Sequence, residues 1–286
     1  MPELPEVEAL RGFLGERVVG EVVEKVYAVG VHALKTYEPG VAVLEGRRVD
    51  EVGRFGKFLG LRAGDVWLVM HLARGGWVRW SDAVPEAPPR PGKGPLALRV
   101  RLAGGAGFDV TEAGTQKRLA VHMVRDPAEV PGIARLGPDP LAAAFTPEVF
   151  AGLLAGERRQ IKGVLRDQSV IAGIGNAYSD EILHAARMSP FLLAANLTPE
   201  QVARLYELIG TTLRDAVERS RGLPLRDLKA EKKSGLRVHG RKGEPCPVCG
   251  DTVREVSYRD SALQYCPTCQ TGGKPLADRR MSRLLK

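Results

Sequence analysis

Four cysteines stand as two pairs, Cys246-Pro-Val-Cys249 and Cys266-Pro-Thr-Cys269, with sixteen residues between the pairs. Two CxxC knuckles at that separation suit one tetrahedral ion. Each turn aims two thiolates at a common point, and the connector makes a hairpin. Two disulfides or one redox CxxC are the alternatives; a cytoplasmic chain disfavours the first, and the second explains only one pair. One structural Zn2+ held by Cys246, Cys249, Cys266 and Cys269 is therefore expected, with no cysteine left as a nucleophile. The charge distribution is a second clue. Residues 221–286 hold 15 Lys/Arg against 7 Asp/Glu, and residues 1–220 hold 27 of each, so the net charge of +8 lies at one end. A basic end suits a polyanion, or else a solubilising tail. His32, His122, His184 and His239 show no metal-like spacing. Trp67, Trp77 and Trp80 fall in strand-like segments, where core packing is the simplest reading.

The elements that must position these groups can be traced along the chain. Its 286 residues, 44% hydrophobic and 27% charged, suffice for two modest domains. The longest apolar run, around Val66–Ala73, is broken by His71 and falls far short of a membrane span. The acidic start, Met-Pro-Glu-Leu-Pro-Glu, lacks the pattern of a signal peptide. A soluble intracellular protein is expected. Residues 5–15 read as a helix with Val7, Leu10 and Phe13/Leu14 on one face. Strand-like segments follow at Val22–Val29, Arg48–Val52, Lys57–Leu61, Val66–Leu72, Ala97–Leu102 and Leu119–Val124, separated by glycine-rich turns, as in a β-sandwich or barrel. Residues 83–95 carry five prolines and read as a surface loop. Asp126–Leu141 reads as a linker, after which the period becomes helical. Thr146-Pro147 and Thr198-Pro199 each read as an N-cap followed by a first-turn proline. The second opens a long helix bearing Val202, Leu205, Leu208/Ile209 and Leu213.

Four blocks resemble one family. Met1-Pro2-Glu3-Leu4-Pro5-Glu6-Val7-Glu8 resembles the N-terminal signature of formamidopyrimidine-DNA glycosylases, whose family also contains endonuclease VIII. Gly56-Lys57-Phe58-Leu59 resembles its lysine-bearing hairpin. Asp167-Gln168-Ser169-Val170-Ile171-Ala172-Gly173-Ile174-Gly175-Asn176-Ala177-Tyr178 resembles its helix–two-turn–helix motif. Val238-His239-Gly240-Arg241-Lys242-Gly243-Glu244-Pro245-Cys246 resembles the approach to its zinc finger. The resemblance covers nearly the whole chain.

It implies a fold and a site. The fold is α+β and multidomain: a β-sandwich with a leading helix (1–125), a linker (126–141), a helix–two-turn–helix domain (142–233), a four-cysteine zinc-ribbon hairpin (234–270) and a basic tail (271–286). The implied activity is that of a DNA glycosylase/AP lyase acting on oxidised bases in damaged double-stranded DNA, as a monomer in a bacterial-type cytosol. Removal of Met1 leaves Pro2 with a free secondary amine; an ordinary α-amino group titrates near pH 8, so a useful fraction is neutral and nucleophilic at physiological pH. Glu3 is the implied proton shuttle, and Lys57 neutralises a phosphate and donates a proton in elimination. Taken without the resemblance, Pro2 and Glu3 read as a helix start and Lys57 as a hairpin lysine. Asn176 and Lys162 are implied phosphate contacts in the helix–two-turn–helix motif. His71 and Arg74 are implied DNA contacts in the β domain. A protein that binds damaged DNA through this scaffold without catalysis is the competing class.

The lesion-reading positions depart from the family pattern. His71-Leu72-Ala73-Arg74-Gly75-Gly76 replaces His-Leu-Gly-Met-Ser-Gly, so Arg74 stands where a methionine fills the gap left by the extruded base. Thr111-Glu112-Ala113-Gly114-Thr115-Gln116-Lys117-Arg118 replaces a loop with Asp-Pro-Arg-Arg-Phe-Gly. Gly222–Gly240 is shorter than the family's covering loop. Ser261 occupies the position of the zinc-hairpin arginine, with Arg259 the nearest candidate. The tail adds Lys274, Arg279, Arg280, Arg283 and Lys286.

Overall fold

The computed structural model of the chain describes residues 1–90, 94–258 and 261–277. Helix α1 (Leu4–Val18) begins where the Glu3 N–H donates to Glu6 Oε2 at 2.8 Å. Pro5 sits in its first turn, where a missing N–H has no intrahelical partner to lose. Leu4, Val7, Leu10, Leu14 and Val18 recur at helical spacing and are all fully buried.

Strands β1 (Val23–Ala28), β2 (Glu51–Phe55), β3 (Phe58–Ala63), β4 (Val66–His71), β5 (Gly76–Ser81), β6 (Leu96–Leu102), β7 (Gly107–Glu112) and β8 (Ala120–Val124) follow. They form two antiparallel four-stranded sheets, ordered β1-β6-β7-β5 and β2-β3-β4-β8. Leu59, Leu61, Leu68 and Met70 of one sheet share a core with Val78, Leu98, Val100, Phe108 and Val110 of the other, and α1 joins it. This is the expected sandwich with its leading helix. Strand β7 is missing from the segments bounded from sequence, and β5 is signalled there only by Trp77 and Trp80, because each strand opens on a glycine that reads as part of a turn. Those glycines answer to crowding: a Cβ on Gly76 would lie 2.1 Å from the Leu72 carbonyl oxygen, and one on Gly107 would lie 2.1 Å from that of Val100.

The chain divides into two compact units. One joins Met1–Leu136 with Ser220–Lys229; the other joins Gly137–Arg219 with the residues from Ala230 onward. The first unit contains the sandwich and a short helix α2 (Pro131–Ala134). Its returning segment buries Leu225 and Leu228 in the sandwich core, and Trp77 Nε1 donates to the Leu225 carbonyl at 3.2 Å. The second unit contains α3 (Pro147–Leu154), α4 (Ile161–Arg166), α5 (Asn176–Ala186) and most of α6 (Pro199–Ser220). After it come the rest of α7 (Leu228–Gly235), the hairpin β9 (Arg254–Ser257) and β10 (Ala262–Tyr265), and α8 (Pro267–Thr271). Both threonine caps form as expected: Thr146 Oγ1 accepts from Val149 N, and Thr198 and Gln201 cap each other reciprocally. Leu205, Ile209 and Leu213 line the buried face of α6. No helix among the described residues is long and apolar enough to cross a membrane.

Candidate functional site

In the first unit, the head of α1 withdraws charge from water. Pro2 is buried, Glu3 is 2% exposed and Glu6 is 1% exposed. Isolated carboxylates are costly to bury, so a pair kept there must be held by specific hydrogen bonds. Met1 itself is 48% exposed and accessible to trimming.

Lys57 is the second residue of the two-residue turn joining β2 to β3, and Gly56 before it has φ 55°. Glycine at the first position of such a turn supplies the left-handed backbone that matches the strand twist. The turn is tied back to α1. Arg54 donates from Nε to Glu8 Oε2 at 2.7 Å and from Nη1 to the Gly56 carbonyl at 3.3 Å. Glu8 also binds Arg11, and these two arginines hold its carboxyl below the usual range against the opposing effect of burial. Lys57 is only 7% exposed, unlike a solvated hairpin lysine.

His71 pairs in register with Phe58 and Ala120, and its ring lies 4.7 Å from that of Phe58. Burial, then the charge of Lys57, then that of His122, push its pKa down to about 4. It is therefore a neutral imidazole at physiological pH, a hydrogen-bonding group and not a cation. Arg74 is exposed on the turn after Ala73, which holds the left-handed φ of 50°. The next residue, Gly75, lets another loop approach: a Cβ there would meet the Ala113 carbonyl oxygen at 2.2 Å, and Ala113 N donates to the Gly75 carbonyl at 3.0 Å. The two loops that depart from the family pattern thus lie side by side. Glu112, which sequence reading passed over, is 1% exposed and organises the second loop. Its Oε1 accepts from Arg118 N and Leu119 N, at 2.6 and 2.8 Å.

In the second unit, Gly173-Ile174-Gly175 leads into α5, with Gly173 at φ 90°. Gln168 staples this turn: its Oε1 accepts from Gly173 N and its Nε2 donates to the Ile174 carbonyl. Asn176 opens the helix, and its Nδ2 donates to the Ala262 carbonyl of β10 at 2.6 Å. Its Oδ1 is buried without a partner among the described residues.

Lys162 is enclosed by its neighbours. The expected phosphate contact is 4% exposed, and its Nζ lies 2.6 Å from Asp180 Oδ1 and 2.7 Å from Ser179 Oγ, with the Asn176 carbonyl at 3.2 Å. A lysine so enclosed braces α4 against the first turn of α5, and its charge is spent inside the fold. Asp180 also accepts from Gln264 N and pairs with His239 Nδ1 at 2.7 Å. Glu181, beside it, accepts the backbone N–H groups of Arg237, Val238 and His239. Asp180, Glu181 and His184 are spaced i, i+1, i+4 along α5. That spacing, set among Ala177, Ile182, Leu183, Ala185 and Ala186, is the signal that could have revealed the network.

The four cysteine sulfurs lie within 4.8 Å of one another, with Cys246 to Cys269 at 3.9 Å and Cys249 to Cys266 at 3.3 Å. Four thiolates about 2.3 Å from one zinc ion would stand about 3.8 Å apart, so the donor set fits that ion. Gly250 N donates to the Cys246 carbonyl and Gln270 N to that of Cys266, which forms the two knuckles. His184 Nε2 lies 3.3 Å from Cys246 Sγ and supports that sulfur from α5. Zinc bound here supplies folding energy and no chemistry. Arg259 and the tail residues Arg279, Arg280, Arg283 and Lys286 lie outside the described residues.

The comparisons with known proteins agree in order along the chain. The formamidopyrimidine-DNA glycosylase N-terminal domain matches residues 1–120, the H2TH domain of the same enzymes residues 136–224, and the zinc finger found in FPG and IleRS residues 243–272. The formamidopyrimidine-DNA glycosylase of Symbiobacterium thermophilum is 39% identical over 280 residues, covering 94% of this chain and 89% of that one. The chain belongs to the formamidopyrimidine-DNA glycosylase family. Among solved structures, the MutM (FPG) protein of Thermus thermophilus is similar with a TM-score of 0.79 at 35% identity, over 96% of this chain and 100% of that one. The Lactococcus lactis Fpg in complex with abasic-site DNA is similar with a TM-score of 0.82 at 26% identity, over 94% and 99%. The expected fold and zinc finger are thus those of the family.

Proposed function

We propose that this chain is a base-excision-repair DNA glycosylase with AP lyase activity, using the amine of Pro2 on oxidised bases in duplex DNA. The observation that carries the reading is the head of α1. A secondary amine, once Met1 is removed, would sit beside two carboxylates withdrawn from water, on a helix clamped to the Lys57 turn through Glu8 and Arg54. The amine attacks the sugar C1′, the N-glycosidic bond breaks and the base leaves as a proton reaches it. The resulting iminium accepts the electron pair of the C2′–H bond as that proton is lost, and the 3′ phosphate departs by β-elimination. Glu3 moves protons during ring opening, and Lys57 neutralises the phosphate beside the lesion. Neutral His71 offers a hydrogen bond near Lys57 without competing for the phosphate charge. Because C1′ is shielded while the nucleotide stays stacked, the base must first be extruded. Arg74, exposed on its turn, is the group to fill the vacated stack, supported by the neighbouring 112–118 loop. The protein acts as a monomer on damaged DNA in the cytosol.

Borohydride reduction on abasic-site DNA tests the amine directly. Wild-type protein should form a covalent adduct, whereas Pro2→Gly, or a protein that retains Met1, should bind the DNA and trap little. Full trapping by the Met1-retaining form would remove Pro2 from the mechanism.

A further inference from the structure

Strand β5 is an edge of its sheet, since among the described residues only β7 pairs with it. A groove of about 650 Å³ wraps this edge, within the first unit. That volume suits a small ligand. On one face Trp80 stands edge-on to Phe13 of α1, with ring centroids 6.1 Å apart. On the other face lies Trp77, with Lys229 Nζ 4.5 Å above its ring. Arg79 and Arg226 complete the cationic end of the lining.

The charges are unbalanced. Lys229 is pulled below its ordinary pKa by burial and by the neighbouring Arg79. Among the described residues Arg226 approaches a carboxylate only at 3.8 Å, from Asp227, and both side chains are largely exposed. The nearest carboxylate to Arg79 in register is Asp109, and Arg99 already binds both of its oxygens. The carboxylate in the groove lining, Asp82, accepts from Trp80 Nε1 at 2.7 Å and marks the opposite end. Lys229 and Arg79 form no ion pair among the described residues, and with Arg226 they leave this end of the groove positive, which favours an anion there.

We propose that this groove binds a nucleotide, with the base stacked on the half-buried Trp80 and the phosphate held across the strand edge by Arg79, Arg226 and Lys229. Aromatic rings accept any base because every base has a π-face, and guanidinium and ammonium groups supply charge-assisted bonds to phosphate. Asp82 repels phosphate from its own end and so fixes the orientation. The site is separate from the amine: Phe13 lies ten residues beyond Glu3 on one helix, about 15 Å at 1.5 Å per residue. The nucleotide can be free, or an unpaired unit of a DNA strand; the chemistry is shared.

Titration of the full chain with deoxyadenosine 5′-monophosphate, followed by calorimetry and tryptophan fluorescence, tests the site. Saturable binding with quenching is expected. Arg226→Ala and Lys229→Ala, both at exposed positions, should each weaken it about tenfold, the effect of losing one charge-assisted contact. Trp80→Leu should weaken it comparably, and abasic-strand nicking by Arg226→Ala serves as the check on folding. Competition by a single-stranded oligonucleotide assigns the ligand to a DNA strand, and lack of competition assigns it to the free nucleotide. The proposal is overturned by no saturable binding at millimolar nucleotide, by equal affinity in the alanine variants, or by inorganic phosphate binding as tightly as the nucleotide.

Discussion

Replacing Lys162 with methionine separates the role its sequence context implies from the role its surroundings dictate. Lys162 Nζ and Asp180 Oδ1 are 2.6 Å apart, with side chains 5% and 1% exposed. Removing one partner of so enclosed a pair leaves an uncompensated buried charge, which costs about 3–5 kcal/mol. Asp180 keeps His239 and Gln264 N as partners, so the lower end, about 3 kcal/mol, is expected. That is a large share of the roughly 5–15 kcal/mol that holds a typical domain folded. Denaturant titration followed by circular dichroism should show the loss as a lower midpoint. Tryptophan emission is the wrong probe, because Trp67, Trp77 and Trp80 all lie in the other unit. DNA affinity measured from low to moderate salt should keep its slope. A true phosphate contact would instead reduce the slope by about 0.9 and leave stability unchanged. A Lys162→Met protein of wild-type stability with a shallower salt slope would refute the bracing role and return the lysine to the DNA interface.

Further outcomes follow from other sites. Cys249→Ser should lose zinc by elemental analysis and disorder the hairpin; Cys249 is exposed, so lost packing cannot account for the change. His71 gives a pH dependence. Its proton is bound more readily in the unfolded chain than in the fold, so its contribution is complete above pH 6.5 and lost as pH falls toward about 4. The loss reaches about 3 kcal/mol, and His71→Phe should flatten the stability profile across that window when denaturation midpoints are compared. Gly76→Ala should cost about 2 kcal/mol by the same measurement, because its Cβ would lie 2.1 Å from a backbone oxygen that cannot move without shifting the strand. Wild-type stability in that variant would show that the turn is looser than its geometry.

Sequence alone determined the elements whose cause is local. The period of Val7, Leu10 and Leu14, the capping residues Thr146 and Thr198, and the paired CxxC knuckles each state a structure within a few residues of chain. The zinc site is the clearest case, since thiolate spacing constrains the knuckles before any packing is known. The four family blocks were legible for the same reason: each is a short contiguous string. Tertiary structure decided whatever depends on residues distant in the chain. Lys162 reads as a surface cation until Asp180, Ser179 and the Asn176 carbonyl enclose it. Glu112 reads as a loop acid until it turns back on Arg118 and Leu119. Gly76 and Gly107 read as turns because a missing side chain looks like flexibility, whereas close carbonyl oxygens are what exclude a Cβ there. The return of Leu225 and Leu228 into the sandwich core carried no periodic signal, since two leucines in a short segment fix no face. Local backbone preference and metal spacing are written along the chain. Charge compensation and steric exclusion belong to neighbours that only folding supplies.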